Sequence, residues 1–360
     1  MVKVMSRPLE GEQTAVVPLD GCPEEKKGNY FCDWLKWTGT LKAVDMRWAT
    51  LLRKDGSYLR FALNATQDSL PTPSRLRCWD AKRLVDGKCP LGCRMAGTLK
   101  HILCSCKFAH QPPEGWQGPW HNRIKWRHDS VLEVIETAVL AQMEHEKVAK
   151  AERARVEATA THANPLFRGG AIESKSETGK RFSAPRSHRK EVVFGEGDDW
   201  KVQFDYENEE GVCIPFPPEI AIVSGEGSRP DGVMWSMETK TVVWIELTSP
   251  WEDNCDKNHE LKITRYNKLA IGLREGKHIG GTRWRVISLC VEVGCRGNLN
   301  ERPWYGMCSR LGFTKTITRR ATEAAQETAL WCSYYIFLCR FVKVWEQRPL
   351  MGAIVWKGTR

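Results

Sequence analysis

Two acidic residues, Asp231 and Glu246, stand near the ends of the segment RPDGVMWSMETKTVVWIELTSPWE, residues 229–252. Its apolar runs GVMWSM and TVVWIELT are joined by a short polar turn, which predicts a β-hairpin. Glu246 interrupts an otherwise apolar strand, where a carboxylate is costly unless it is paired or bound to a metal. Two carboxylates on adjacent strands can hold a hard divalent cation through oxygen. The alternative is a turn-stabilising role for Asp231 and a surface position for Glu246.

The segment after the hairpin supplies a basic group. NHELKITRYNKLA lies in a predicted helix over residues 253–275, with Lys262 and Tyr266 four residues apart on one face. A lysine beside two carboxylates can orient a nucleophilic water or stabilise the charge that develops on a phosphate. Together these residues would complete a phosphodiester hydrolase. In the alternative, the three are scattered surface charges.

A second group of residues has the types and spacing of a metal site. Cys89, Cys93, His101 and Cys106 form the pattern C-x3-C-x7-H-x4-C. This spacing lets a short loop and a turn deliver three thiolates and one imidazole to a tetrahedral zinc ion. We therefore predict a structural zinc at residues 89–106, with Cys104 as a substitute ligand. A cysteine-rich turn without metal is the alternative.

Charge and composition limit the partners. The chain carries 54 Lys plus Arg against 44 Asp plus Glu, a formal net charge of +10, and fourteen cysteines. This excess favours a polyanionic partner such as nucleic acid and disfavours acidic substrates. We see no secretory signal, and no run reaches the ~20 apolar residues that a membrane span needs. We expect a nuclear or cytoplasmic protein that is not secreted and does not contact a membrane.

Apolar spacing and breaker residues divide the chain into parts. We predict a flexible lead-in (1–28), a mostly helical region with the Cys/His cluster (29–157), a linker (158–193), an α/β domain (194–345) and a tail (346–360). The long helix of the first region is expected to start at a capping box, Ser130-x-x-Glu133. The predicted fold class is α+β overall, with a central sheet flanked by helices in the second region.

Several segments together resemble a known family. RPDGVMW, VVWIELTSPWEDN, HELKITRYNKLA and ISLCVEVGCRG resemble the restriction-enzyme-like endonuclease domain of non-LTR retrotransposon polyproteins, a member of the PD-(D/E)xK nuclease fold. FALNATQDSLPTPSRLRCW, the Cys/His cluster as a CCHC zinc knuckle, GTLKHILCSC and WRHDSVL resemble the segment between the reverse transcriptase and that nuclease. The likeness covers about residues 40–345, in the family's order. It implies a mixed sheet in the second region.

The resemblance also implies residue roles. Asp231 and Glu246 would bind the catalytic Mg²⁺ or Mn²⁺, and Lys262 would be the catalytic lysine. The wider fold places that lysine at (D/E)xK, where this chain has Thr248. The chain contains no Tyr-x-Asp-Asp motif, so no reverse transcriptase activity is expected, and it looks like the C-terminal third of such a polyprotein. The additional candidates for catalysis are Glu219, Arg265 and Tyr266.

Three hypotheses follow from these residues. The first is a metal-dependent DNA endonuclease that nicks target DNA, with the zinc knuckle helping to hold nucleic acid. The second is a catalytically inactive nucleic-acid-binding remnant of a retroelement, and the third is a fragment that merely folds. The complete set of Asp231, Glu246 and Lys262 favours the first over the second. The expected partner is DNA, with RNA as a further candidate, and no small-molecule cofactor is expected.

Overall fold

The computed structural model describes residues 54–79, 86–111, 114–115, 122–162, 192–195, 197–205, 229–275 and 283–342. The predicted lead-in, most of the predicted linker and the tail lie outside these ranges, as does Glu219. The α-helices before the sheet are α1 (Gly56–Thr66), α2 (Pro73–Trp79), α3 (Lys107–His110) and α4 (Arg123–His162). A π-helical turn, His101–Ser105, precedes α3.

A four-stranded mixed sheet follows in the chain. Its strands are β1 (Lys201–Phe204), β2 (Gly232–Ser236), β3 (Thr241–Thr248) and β4 (Arg285–Glu292), in the spatial order β1-β2-β3-β4. β1, β2 and β3 pair antiparallel, whereas β4 pairs parallel to β3. A parallel pair needs a crossover connection, and the helix α5 (Cys255–Arg274) supplies it. The chain continues with α6 (Glu301–Leu311) and α7 (Lys315–Leu338).

These elements confirm the prediction at a coarse level. The structure is a mixed α and β fold with a mixed sheet flanked by helices. The hairpin, the helix after it and the buried strand beyond that helix all form where the sequence predicts them. None of the helices within the described ranges is long and apolar enough to cross a membrane.

The two faces of β3 have different environments because side chains alternate along a strand. Val243 and Ile245 point into the largest apolar core, which also contains Val131 and Ile135 of α4. Trp244 points to the opposite face and packs with Tyr266 of α5 in a separate apolar cluster. Helix α4 and the sheet therefore share one core, although the sequence placed them in different regions.

The start of α4 differs from the prediction. The helix begins at Arg123, and the amide of Lys125 donates to Oδ1 of Asn122 at 2.9 Å, so Asn122 caps its first turn. The Ser130 hydroxyl donates to the carbonyl of Trp126 at 2.8 Å within the helix. The predicted capping box at Ser130 is wrong, because the Ser130 hydroxyl donates to a carbonyl of the preceding helical turn and does not cap a helix end. The earlier start carries residues 123–129 into helix next to the sheet.

Candidate metal centre and carboxylate cleft

The Cys/His cluster forms a compact group of four buried side chains. Their ligand atoms all lie within 4.8 Å of one another. The Sγ atom of Cys106 is 3.6 Å from that of Cys89 and 4.0 Å from that of Cys93. These separations are close to the ~3.7 Å edge of a tetrahedron with Zn–S bonds of about 2.3 Å. Nε2 of His101 lies 3.0 Å from Sγ of Cys93. The cluster can therefore bind a metal ion.

Local backbone geometry presents these ligands. Lys88 and Ala96 form an antiparallel bridge, so the chain turns back on itself between them. Gly92 lies in this turn with φ +87°, a left-handed conformation that glycine adopts without strain. His101 is the first residue of the π-helical turn, and Cys106 follows that turn as the N-cap of α3. A turn and a single helical turn thus deliver all four ligands.

Charge within the cluster also suits a cation. The hydrogen bond between the thiols of Cys89 and Cys106 lowers the pKa of Cys89 and raises the pKa of Cys106, because one sulfur stabilises the thiolate of the other. Cys104 lies outside the group, and its Sγ faces Nη2 of the buried Arg127 at 3.8 Å. The structure thus separates the predicted substitute ligand from the four predicted ligands.

Glu246 is buried on the face of β3 that packs against α5. Its side chain is only 4% exposed, and its Oε1 forms an ion pair with Nζ of Lys262. The Tyr266 hydroxyl lies 2.5 Å from Oε2 of Glu246. The predicted common face of Lys262 and Tyr266 is confirmed, because both side chains reach the same carboxylate. The surface position considered for Glu246 is wrong.

Several effects act on the protonation of Glu246. Burial raises the pKa of its carboxyl group, and the nearby charge of Asp231 raises it further. The ion pair with Lys262 and the hydrogen bond from Tyr266 act in the opposite direction. Burial and the Glu246 charge also raise the pKa of Tyr266, which keeps its phenol a hydrogen-bond donor.

Asp231 immediately precedes β2 and faces the end of β3. The last paired residues of the hairpin are Gly232 and Ile245, so Asp231 stands opposite Glu246 one position further along. Opposed residues on neighbouring strands point to the same face of a sheet. The amide of Leu247 donates to Oδ2 of Asp231 at 2.7 Å, and the amide of Asp205 donates to its carbonyl at 2.7 Å. The first bond holds the carboxylate of Asp231, and the second holds its backbone at the start of β2.

His128 was not singled out from the sequence, yet it contacts Asp231 directly. Its Nε2 lies 3.3 Å from Oδ2 of Asp231 and 3.1 Å from the carbonyl oxygen of Leu247. Its Nδ1 lies 3.0 Å from Oδ1 of Asp129. Burial disfavours the charged ring, but the two carboxylates outweigh this effect and raise the pKa of His128 to about 10. The adjacent pair His128-Asp129 in WRHDSVL was the available sequence signal.

The carboxylates lie in an open cleft with a cavity volume of about 550 Å³. Its walls come from the π-helical turn and α3, from the first turns of α4, and from the ends of β1, β2 and β3 together with α5. Cations and acids both line it. The acidic and basic residues among its walls are Lys100, His110, Lys125, His128, Asp129, Asp205, Asp231, Glu246 and Lys262.

The structure brings some predicted residues together and not others. Asp231, Glu246 and Lys262 line the cleft. Tyr266 lies beneath it, buried against Glu246. Arg265 is exposed on α5 and is not among the described residues that line the cleft. Comparisons with known proteins add no assignment, since no protein-family model and no curated protein matches the chain.

Proposed function

We propose that the chain is a metal-dependent DNA endonuclease that nicks target DNA by phosphodiester hydrolysis. It resembles the endonuclease domain of non-LTR retrotransposon polyproteins, with the PD-(D/E)xK nuclease fold. The observation that carries the proposal is the juxtaposition of Asp231, Glu246 and Lys262 in one cleft. Glu246 comes from β3, Asp231 from the residue just before β2, and the lysine from the helix that connects β3 to β4.

The donor atoms of the cleft fit a hard divalent cation. Asp231 and Glu246 offer carboxylate oxygens, and the Leu247 carbonyl oxygen lies beside them. Mg²⁺ and Mn²⁺ prefer such oxygen ligands. A bound cation would polarise the scissile phosphate and lower the pKa of the attacking water.

The protein groups contribute positioning and charge. Asp231 accepts a hydrogen bond from the Leu247 amide and Glu246 accepts one from the Tyr266 hydroxyl, and these bonds hold both carboxylates in the cleft. Lys262 places an ammonium group beside these acids, where it can stabilise negative charge developing on a phosphate. Tyr266 serves Glu246 rather than the substrate, because its hydroxyl is buried against that carboxylate.

The Cys/His cluster is proposed to hold one structural Zn²⁺. Three sulfurs and one imidazole are the ligand set that zinc prefers for a closed tetrahedral site. The segment containing the cluster is short, so metal would supply much of the free energy that folds it. Because the same segment contributes Lys100 and His110 to the cleft, zinc would also hold one wall of the nucleic-acid site.

A specific observation supports a second candidate, a catalytically inactive nucleic-acid-binding protein. Glu246 and Asp231 each already contact a protein cation, Lys262 and His128. Their charges are therefore partly compensated without any metal. In this case the basic residues would still bind DNA or RNA, but no cleavage would follow.

Nicking of supercoiled plasmid DNA by the full chain with Mg²⁺ or Mn²⁺ tests the proposal. We expect Asp231→Ala and Glu246→Ala to abolish nicking while DNA affinity stays nearly unchanged, because the loss is in transition-state stabilisation. Glu238→Ala, at an exposed position in the turn of the same hairpin, is the matched control and should nick like the parent. Failure of the folded parent to nick would favour the second candidate.

A further inference from the structure

A second cavity lies between α6 and α7, apart from the carboxylate cleft. Its volume is about 450 Å³, a size typical of pockets that hold small ligands. Its walls come from α6, from the short connection after it and from the first half of α7. None of the described residues that line this cavity also lines the carboxylate cleft. Cleavage in the cleft therefore does not account for it.

Gln326 supplies the cavity with a buried polar group. This residue is only 3% exposed, and its Nε2 atom has no hydrogen-bond partner among the described residues. A buried donor without an acceptor is destabilising, and most such groups in folded proteins are paired. The nearby Thr322 hydroxyl, by contrast, accepts from Nε1 of Trp304 at 2.9 Å and donates to the Thr318 carbonyl at 2.7 Å. Gln326 thus presents a donor that an acceptor atom of a ligand can satisfy.

Two cations stand nearer the start of α7. Lys315 and Arg319 line the cavity and lie four residues apart, so they share one face of the helix. Both are exposed, and neither forms an ion pair within the described ranges. Glu323 is the one acidic residue among the described walls, so positive charge is in excess. Arg319 and Gln326 are seven residues apart, which is about 10 Å along the helix.

Aromatic side chains complete the wall. Tyr305 of α6 and Phe313 of the connection both line the cavity. Aromatic rings stack on nucleobases, cations bind phosphate, and a glutamine amide donates to acceptor atoms on a base edge. A nucleotide combines these features, with its phosphate and its base edge at opposite ends. Inorganic phosphate would match the cations but would leave the Gln326 donor unpaired.

We propose that the cavity between α6 and α7 binds one nucleotide, with its phosphate at Lys315 and Arg319 and its base against Gln326. This nucleotide has two sources, a free nucleoside monophosphate or an unpaired nucleotide of a nucleic-acid strand. In both cases the base supplies the acceptor that the Nε2 group of Gln326 lacks in the protein. The inference goes beyond the proposed function and holds whether or not the cleft cleaves DNA.

Calorimetric titration of the zinc-loaded full chain with AMP, CMP, GMP and UMP in turn tests the proposal. The nucleoside of the tightest ligand and ribose 5-phosphate are titrated in parallel, because each carries only part of the recognised groups. We expect a mononucleotide to bind, and each partial ligand to bind about tenfold or more weakly. Displacement of the mononucleotide by a short single-stranded DNA identifies the strand as the source, and absence of displacement identifies the free nucleotide.

Variants separate the base contact from the phosphate contact. Gln326→Leu removes the amide at similar volume, so it should weaken nucleotide and nucleoside alike, about tenfold. Because it also removes an unpaired buried donor, it should raise the Tm without ligand. Arg319→Ala should weaken the nucleotide about tenfold and leave the nucleoside unchanged. Arg302→Ala, at an exposed arginine of α6 outside the cavity wall, is the matched control and should bind as the parent does.

The result that overturns the proposal is the absence of binding by every mononucleotide at about 1 mM. Binding as tight as that of the parent in both Gln326→Leu and Arg319→Ala would equally overturn it. A lower Tm in Gln326→Leu would show that its amide stabilises the fold, which contradicts its role as a donor kept for a ligand. None of these results bears on nicking, which the endonuclease proposal assigns to Asp231 and Glu246.

Discussion

The Cys/His cluster and the carboxylate cleft, the two proposed cation sites, differ in how their side chains are arranged. In the cluster, the four ligand atoms approach one another within 4.8 Å. In the cleft, each proposed metal ligand contacts a protein cation, Lys262 for Glu246 and His128 for Asp231. Ligand atoms that crowd together around one point favour a permanent ion. Ligands whose negative charge is already compensated by a protein cation favour a metal ion that exchanges with ions in solution.

The two regions are also physically joined. The segment from His101 to His110 carries two of the cluster's ligands. Its residues Cys104, Ser105 and His110 also line the cleft. Ile102 and Leu103 of this segment, together with the preceding Leu99, pack into an apolar core with α1 and α7. Loss of the structural ion should therefore disturb the cleft, whereas loss of the cleft's ion should leave the cluster unchanged.

Removal of a cluster ligand should have the largest effect. We expect Cys89→Ser or His101→Ala to lose the one zinc per chain, to unfold residues 85–110 and to abolish nicking, because metal binding stabilises the folded segment. Metal analysis and hydrogen exchange measure these changes. Cys339→Ser, at a half-buried cysteine outside the cluster, should keep its zinc. Absence of zinc from freshly purified parent protein would remove the structural metal site.

The next largest effect should come from Lys262. We expect Lys262→Ala to slow nicking about 100-fold with metal still bound, because it removes charge stabilisation at the phosphate. Single-turnover nicking and Mn²⁺ binding measure the two parts separately. Lys268→Ala, at an exposed lysine of the same helix, is the control. A parent-like rate in Lys262→Ala would show that this lysine serves only to pair Glu246.

A smaller effect concerns stability and pH. The pKa of His128 is raised from 6.5 to about 10, so its stabilising contribution is fully present below pH 6.5 and is lost as pH rises through 10. Between pH 7 and pH 10 the metal-free parent should lose up to a few kcal/mol of unfolding free energy relative to His128→Gln. Urea unfolding at both pH values measures this. Parallel pH profiles for the two proteins would contradict the ion pairs of His128.

The smallest effect should be on DNA affinity. We expect Lys125→Ala, in the cleft, to reduce the slope of log affinity against log salt concentration by about 0.9, the loss of one phosphate contact. Lys88→Ala is the control, because its ammonium is exposed, pairs with Asp86 and lies outside the cleft walls. Equal salt slopes for both variants would place DNA binding elsewhere on the chain.

Local patterns predicted part of both sites, and contacts distant in the chain account for the rest. The spacing of Cys89, Cys93, His101 and Cys106 was sufficient because their ligand atoms lie within eighteen residues of chain. The pairing of Lys262 with Glu246 followed from a hairpin and the next helix, which are also local. His128 could not be placed in the same way, because its contact with Asp231 depends on how α4 packs on the sheet.

The error at the start of α4 had the same origin. Ser130 and Glu133 match a capping box, but this sequence pattern does not show whether the preceding residues are already helical. Asn122 caps the helix earlier, and this places His128 and Asp129 on α4 beside the cleft. The predicted domain boundary stays a prediction, although α4 and the sheet share a core.

Withdrawal and return of Mg²⁺ tests most directly the claim that the chain has one permanent and one exchangeable metal site. The zinc-loaded chain is dialysed to remove Mg²⁺ without a strong chelator, and plasmid nicking and zinc content are measured before dialysis, after it and after Mg²⁺ or Mn²⁺ is restored. We predict that nicking disappears and returns with the added cation while about one zinc per chain remains throughout. Nicking that persists without Mg²⁺, or that follows the zinc content instead, would contradict this account.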